Sequence, residues 1–139
     1  MALMDDCIFC KIVKGEIPSA KIYEDDKVLA FLDIAPINPG HTLVIPKAHF
    51  ENIFETPEEL VAELTTVVKK VSHALQVLGP EGMNVAMNNG KAAGQDVFHS
   101  HIHVIPRYQG DGYKPWHSKR PYREGEKDEI AKKITQAMG

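Results

Sequence analysis

The chain has 139 residues, 43% of them apolar and 25% charged, and its 16 basic and 19 acidic side chains leave a net charge of −3. That size and balance suit one domain spanning residues 1–139 and able to bury its own core. No basic stripe marks nucleic acid as a partner, and no apolar run approaches the ~20 residues that cross a bilayer. Residues 1–20 lack the basic-then-apolar order of a signal peptide, so a cytoplasmic location and no membrane partner are expected.

Residues 7–14 (CIFCKIVK) read as a short helix, ended by Gly15 to Pro18 before an extended segment over 20–24. Both cysteines lie in this helix as Cys7-x-x-Cys10, a spacing that in a reducing compartment points to metal or redox chemistry rather than a structural disulfide. A thioredoxin-like pair follows a strand, and only six residues precede Cys7, so redox function is not expected. Residues 27–33 are strand-like, Pro36 to Gly40 form a turn, and 41–45 (HTLVI) form a buried strand closed by Pro46. The clearest helix opens at Thr56, with Pro57 in the first helical position and Glu59 three residues after the cap, which together predict a capping box. Leu60, Leu64, Val67, Val68, Val71, Leu75 and Leu78 recur at helical spacing as one core-facing stripe, and Gly79-Pro80 stops the helix. His73 falls on its polar side. Residues 83–88 and 99–106 are two further strands, joined by a glycine-rich loop whose backbone N–H groups can approach a ligand closely. After a polar stretch containing Trp116 and His117, a short amphipathic helix over 127–138 ends the chain. Strands at both ends of one long central helix, without regular βαβ alternation, predict an α+β fold with an antiparallel sheet of about five strands.

The chemistry concentrates in His99-Ser-His-Ile-His103. On an extended segment alternate side chains share a face, so His99, His101 and His103 project together and Ser100, Ile102 and Val104 the other way. Two chemistries use such a row. His101 can be a nucleophile, its far nitrogen donating to a fixed acceptor and its near nitrogen unprotonated. Alternatively, two or three of these imidazoles hold a catalytic Zn²⁺ that activates water. Spacing alone does not separate them.

His99-x-His101-x-His103-Val-Ile-Pro resembles the signature of the histidine triad (HIT) family. The segments at 7–18, 28–34 and 41–49, together with Asn88-Asn-Gly and Gly94-Gln95, are similar in order and spacing to the family's Hint-like branch. The similarity covers a core of about 7–108, with a variable tail over 109–139. It implies a hydrolase or transferase that moves a purine nucleoside monophosphate, AMP-like, onto His101 and then to water, with a phosphoramidate or related conjugate as substrate. In that reading His99, His103 and His41 belong to the catalytic group, His41 helping to orient the imidazoles. Asn88, Gly94, Gln95 and Asp96 surround the phosphate, Asp33 accepts the ribose hydroxyls, and Ile8, Phe9, Ile12, Ile17, Phe31, Leu32 and Ile34 wall the base. Asp96 stands where eukaryotic Hint-like members carry a hydroxyl residue. It is expected either to point away from the phosphate or to assist the leaving group when protonated.

The resemblance also implies a structural zinc held by Cys7, Cys10, His49 and His99, with no cofactor needed for the chemistry, and a homodimer built by continuing sheets across a two-fold axis. Two other readings stand beside the enzyme: a purine-nucleotide-binding interaction protein whose turnover is incidental, and a zinc hydrolase using the triad as ligands. His117 could approach the active site, although nothing in the sequence requires it.

Overall fold

A computed structural model describes residues 4–116 and 118–139; His117 lies outside the described residues. The elements run α1 (Ile8–Val13), β1 (Lys21–Glu24), β2 (Val28–Leu32), β3 (Thr42–Pro46), α2 (Glu58–Ala74), β4 (Gly82–Ala86), β5 (Ile102–Arg107) and α3 (Glu126–Ala137), with single 3₁₀ turns at Leu75–Leu78 and Lys91–Ala93. The five strands form one sheet in the order β1-β2-β3-β5-β4, and every neighbouring pair is antiparallel. This is the α+β architecture the pattern of elements predicts.

The pleat gives the sheet two apolar faces. Val28 and Ala30 of β2, Val44 of β3, and Ile102 and Val104 of β5 turn to one side, where Leu64, Val67, Val68, Val71 and Leu75 cover them. Leu29, Phe31, Leu43 and Ile45 turn to the other, where Phe9 and Ile12 of α1 cover them. The registers Ala30↔Val44 and Val44↔Ile102 fix this division across three strands, because a slip of one residue would exchange the faces. His103 pairs with Leu43 and Ala86 and therefore belongs to the α1 side.

Three details differ from expectation. No capping box forms at α2: Pro57 is the cap residue and makes no side-chain bond. Thr56 Oγ1 is engaged elsewhere, donating to the Asn52 carbonyl at 2.7 Å and lying 2.7 Å from Ser100 Oγ. That buried hydroxyl pair ties the start of α2 to the histidine segment. The apolar stripe ends at Leu75, since the tighter turn after Ala74 changes the period and leaves Leu78 half exposed. Leu78 still fills space above Gly40, where φ is +98° and a Cβ would come within 2.7 Å of Leu78 Cδ1; only glycine fits that turn. Finally, ladder pairing in β5 begins at Ile102 rather than at His99, because Ser100 N–H donates to the Phe50 carbonyl at 2.7 Å instead of joining a strand.

Leu64 is 1% exposed at the centre of the α2 face, so Leu64→Ala should cost about 2–5 kcal/mol in transfer and cavity terms. Urea unfolding checks this: the midpoint should fall with an unchanged slope, and an unaltered midpoint would show that this face is not the core.

Candidate active site

Each imidazole of the row is oriented by a backbone group, and those groups decide which nitrogen carries the proton. His101 Nδ1 lies 2.7 Å from the His99 carbonyl. A carbonyl only accepts, so Nδ1 is protonated and, in the neutral ring, Nε2 keeps its lone pair. His99 Nε2 lies 2.7 Å from the Pro46 carbonyl, which by the same reasoning leaves the His99 lone pair on Nδ1. At His41 the logic inverts, because Nδ1 accepts the Ile37 N–H at 3.1 Å. His41 Nε2 must then carry the proton, and it donates to His103 Nδ1 at 2.9 Å. His103 is left with its proton on Nε2. Identical side chains thus present a lone pair at His101 and a donor at His103, with ring centroids 5.0 Å apart.

Burial favours the neutral form of His41, His99 and His103. It pushes His41 and His103 below the usual histidine range, with the neighbouring imidazoles lowering His103 further. Burial likewise brings His99 down to about 4. His101 is 2% exposed, and Phe9 sets its ring edge-on against both His99 and His101, at 5.8 and 5.1 Å.

His101 and His103 open onto a cavity of about 600 Å³. Ile8, Phe9, Ile12, Ile17, Phe31, Leu32 and Ile34 all line it, as do Asp33 and Asp96. Ile34 is almost fully exposed at its rim. Asp33 has two contacts: Oδ1 accepts the Ala35 N–H at 2.9 Å in a local turn, and Oδ2 sits 3.7 Å from His41 Nε2. Sequence reasoning missed Pro18, Ser19, Ala20, Leu43 and Val97, which also line the cavity. Leu43 was accessible through strand alternation, being opposite His103 in the ladder; no comparable signal points to Val97.

The glycine-rich loop is held by its own backbone and by Gln95. Gln95 is buried with both ends of its side chain committed: Oε1 accepts Gly90 N–H, and Nε2 donates to the carbonyls of Glu51 and Val97. Gly94 N–H and Gln95 N–H are also spent inside the loop, on Lys91 and Gly90 carbonyls. Gln95 therefore shapes the loop. Neither it, Gly94 nor Asn88 lines the cavity; Asn88 Nδ2 instead stands 3.7 Å from where a Gly94 Cβ would be. Asp96 does not point away, since its Oδ1 lies 3.9 Å from His101 Nε2.

Behind the triad, Cys7, Cys10, His49 and His99 bring four ligand atoms within 4.8 Å of one another. His99 Nδ1 is 3.4 Å from Cys7 Sγ and 3.6 Å from Cys10 Sγ, and His49 Nδ1 is 3.4 Å from Cys10 Sγ. Asp33, His41 and His103 also converge. Their 2.9 Å nitrogen contact is a hydrogen bond, shorter than the ~3.3 Å that two nitrogens about 2.0–2.1 Å from one tetrahedral zinc would keep.

The HIT domain sequence profile matches residues 14–110. The chain belongs to the HIT family. It is 53% identical over 115 residues to protein hit of Bacillus subtilis, covering 81% of this chain and 79% of that one. It is 52% identical over 101 residues to the adenosine 5'-monophosphoramidase hnt1 of Schizosaccharomyces pombe, covering 73% and 74%. Adenylylsulfatase HINT3 of Arabidopsis thaliana is 47% identical over 110 residues, covering 78% of this chain and 56% of the plant protein. Among solved structures, a HIT family protein from Bacillus anthracis superposes with a TM-score of 0.89 at 43% identity, covering 96% and 97% of the two chains. A zinc-bound histidine triad family protein from Mycobacterium smegmatis gives 0.75 at 42% identity, covering 95% of each. The HIT fold therefore holds for this chain. Among the described residues no helix is long and apolar enough to cross a membrane.

The depressed histidines set a pH dependence. The unfolded chain binds protons near the ordinary value of 6.5, whereas folded His99 waits until about 4. Stability is therefore complete above 6.5 and is lost as pH falls towards 4, with His41 and His103 adding in the same direction. Urea midpoints measured from about pH 7.5 down to about 4.5 should decline steadily; a flat profile would mean the imidazoles are not held neutral.

Proposed function

We propose that this HIT protein is a nucleotide hydrolase that cleaves the α-phosphate bond of purine nucleoside phosphoramidates or related conjugates through a nucleotidyl-His101 intermediate. One observation carries the reading: His101 Nδ1 is tied to the His99 carbonyl, so its unprotonated Nε2 faces a cavity of nucleoside size. The names of the yeast and plant relatives, a monophosphoramidase and an adenylylsulfatase, point to adenylyl transfer chemistry. Apolar walls with few polar contacts suit a purine without distinguishing among purines, and the open oxygen of Asp33 suits a vicinal diol.

In the first step His101 Nε2 attacks phosphorus; the new N–P bond forms as the bond to the leaving nitrogen breaks, and that nitrogen takes a proton from solvent. In the second step water attacks the same phosphorus, the N–P bond to His101 breaks, and the water's proton returns to solvent. His103 Nε2–H and the backbone N–H of Asp96, which has no partner among the described residues, are the donors for the phosphoryl oxygens. Such preorganised donors act most strongly in a site that excludes water.

We infer further that the Cys7, Cys10, His49 and His99 cluster holds a structural zinc. Ligands at about 2.3 Å for sulfur and 2.0–2.1 Å for nitrogen place tetrahedral S···N edges at roughly 3.5 Å, and the observed separations are 3.4, 3.4 and 3.6 Å. Burial pushes the Cys10 thiol up, so a cation is what would make this pair thiolate. Cys10 N–H already donates to Cys7 Sγ, and the Pro46 carbonyl fixes His99 in the ligating tautomer, an outer-shell contact of the usual kind. When bound, the ion supplies a cross-link between α1 and the triad loop.

Rapid quenching after mixing with adenosine 5'-phosphoramidate should reveal an adenylyl adduct by intact mass on the native chain. His101→Ala should show none and lose on the order of 10³-fold or more in kcat. If His101→Ala retains turnover, the nucleophile is elsewhere; if the native chain binds AMP without turnover, the protein is a nucleotide-binding module.

Elemental analysis should find about one zinc per chain in native protein and in His101→Ala, and little in Cys10→Ala. Equal zinc in all three would place the ion at another site.

A further inference from the structure

Beside the nucleoside cavity lies a second one of about 540 Å³, lined by Asp6, His49, Glu51, Glu55 and Asp96 among others. Ile8, Asp96 and Val97 line both cavities, so the two join beside His101. No lysine or arginine lines the second cavity, and among the described residues none pairs with Asp6, Glu51, Glu55 or Asp96. Two buried imidazoles address this edge. His101 Nε2 lies 3.9 Å from Asp96 Oδ1 and has no hydrogen-bond partner among the described residues. His49, 7% exposed, lines the cavity with Nδ1 on Cys10 and Nε2 without a partner.

Resting on the nucleotidyl-transfer reading above, we propose that this acidic cavity is the leaving-group subsite and that it selects conjugates whose departing amine carries a second positive charge. The substrate's α-phosphorus must sit against His101 Nε2, at the junction, with its nucleoside in the apolar cavity. The departing group then has the carboxylate-lined cavity beside it. Four carboxylates without a resident cation favour an ammonium tail and disfavour a carboxylate or further phosphate. Asp96 acts at the junction itself, nearest the bond that breaks. The bond changes are those already given: N–P to His101 forms, P–N to the amine breaks, and solvent protonates the amine.

The test is a series of adenosine 5'-phosphoramidates sharing one P–N linkage: propylamine, 1,3-diaminopropane and β-alanine conjugates, neutral, cationic and anionic in the tail. For the native chain kcat/KM should favour the diamine over the propylamine conjugate by roughly tenfold, with the β-alanine conjugate poorest. High salt should erode the preference, because the screening length shrinks to about 3 Å at 1 M. The double variant Glu51→Gln/Glu55→Gln keeps the amide oxygen needed to accept Glu51 N–H, and its diamine-to-propylamine ratio should fall towards one. Glu63→Gln, at a residue that pairs with Lys27 and lines neither cavity, should keep the native ratio. A native preference that is absent, or that survives both salt and the double variant, overturns the proposal while turnover itself upholds the hydrolase reading. If no conjugate is turned over and no His101 adduct forms, the hydrolase reading fails and this inference fails with it.

Discussion

The working geometry of this protein depends on backbone groups that choose tautomers. The Pro46 and His99 carbonyls accept from His99 and His101, and the Ile37 N–H donates to His41. Each of these contacts assigns a proton that a free imidazole would place indifferently on either nitrogen. The consequence is directional: His99 turns a lone pair to the cysteines, His101 turns one to the cavity, and His103 turns a proton to it. None of this survives protonation, which would convert each acceptor nitrogen into a second donor. Burial therefore has a chemical purpose as well as a structural one, since desolvation is the leading cause of the low values at His41, His99 and His103.

The same segment also explains why the sheet and the cysteine cluster are coupled. His99 and His101 are two residues apart, and the carbonyl between their rings is the one that orients His101. Any shift of His99 moves that carbonyl. Cys7 and Cys10 border His99 on one side, Phe9 packs against both rings, and Ser100 is pinned through Thr56 to the start of α2. A zinc cross-link at the cysteines, as proposed above, would thus hold His101 Nε2 in place without approaching it. The sheet contributes the remaining constraint, since β3 carries both His41's flank and Leu43, opposite His103.

Much of this was legible in sequence because it follows from period. Alternation placed the three histidines together even though only His103 lies within the β5 ladder: Phe9 packs against both His99 and His101, and His101 against His103. Helical spacing found the α2 stripe, and the seven apolar wall residues follow from the family resemblance. What failed was partner choice. Thr56 and Gln95 carry polar groups with several possible partners, and tertiary packing decided between them: Thr56 took Ser100 instead of the helix end, and the Gln95 side chain took the loop backbone. The direction of Asp96 belongs to the same class, since one short polar side chain in a glycine-rich loop has no periodicity to report it.

Asp96 also shows how specificity can change while the chemistry stays fixed. Its backbone N–H and its carboxylate serve opposite ends: the amide favours negative charge on a phosphoryl oxygen, whereas the carboxylate opposes negative charge in whatever lies beyond it. A hydroxyl at this position would supply a donor with no such opposition. With Asp6, Glu51 and Glu55 in the adjoining cavity, the carboxylate belongs to a field of one sign, and a field of several like charges is felt over the width of the cavity at moderate salt. The nucleoside half of the site, largely apolar with Asp33 and the shared Asp96 as its carboxylates, gives little discrimination between conjugates of the same nucleoside. On the proposed nucleotidyl-transfer reading, the choice among leaving groups would therefore fall to the acidic half, with Asp96 the carboxylate of that half closest to His101 Nε2.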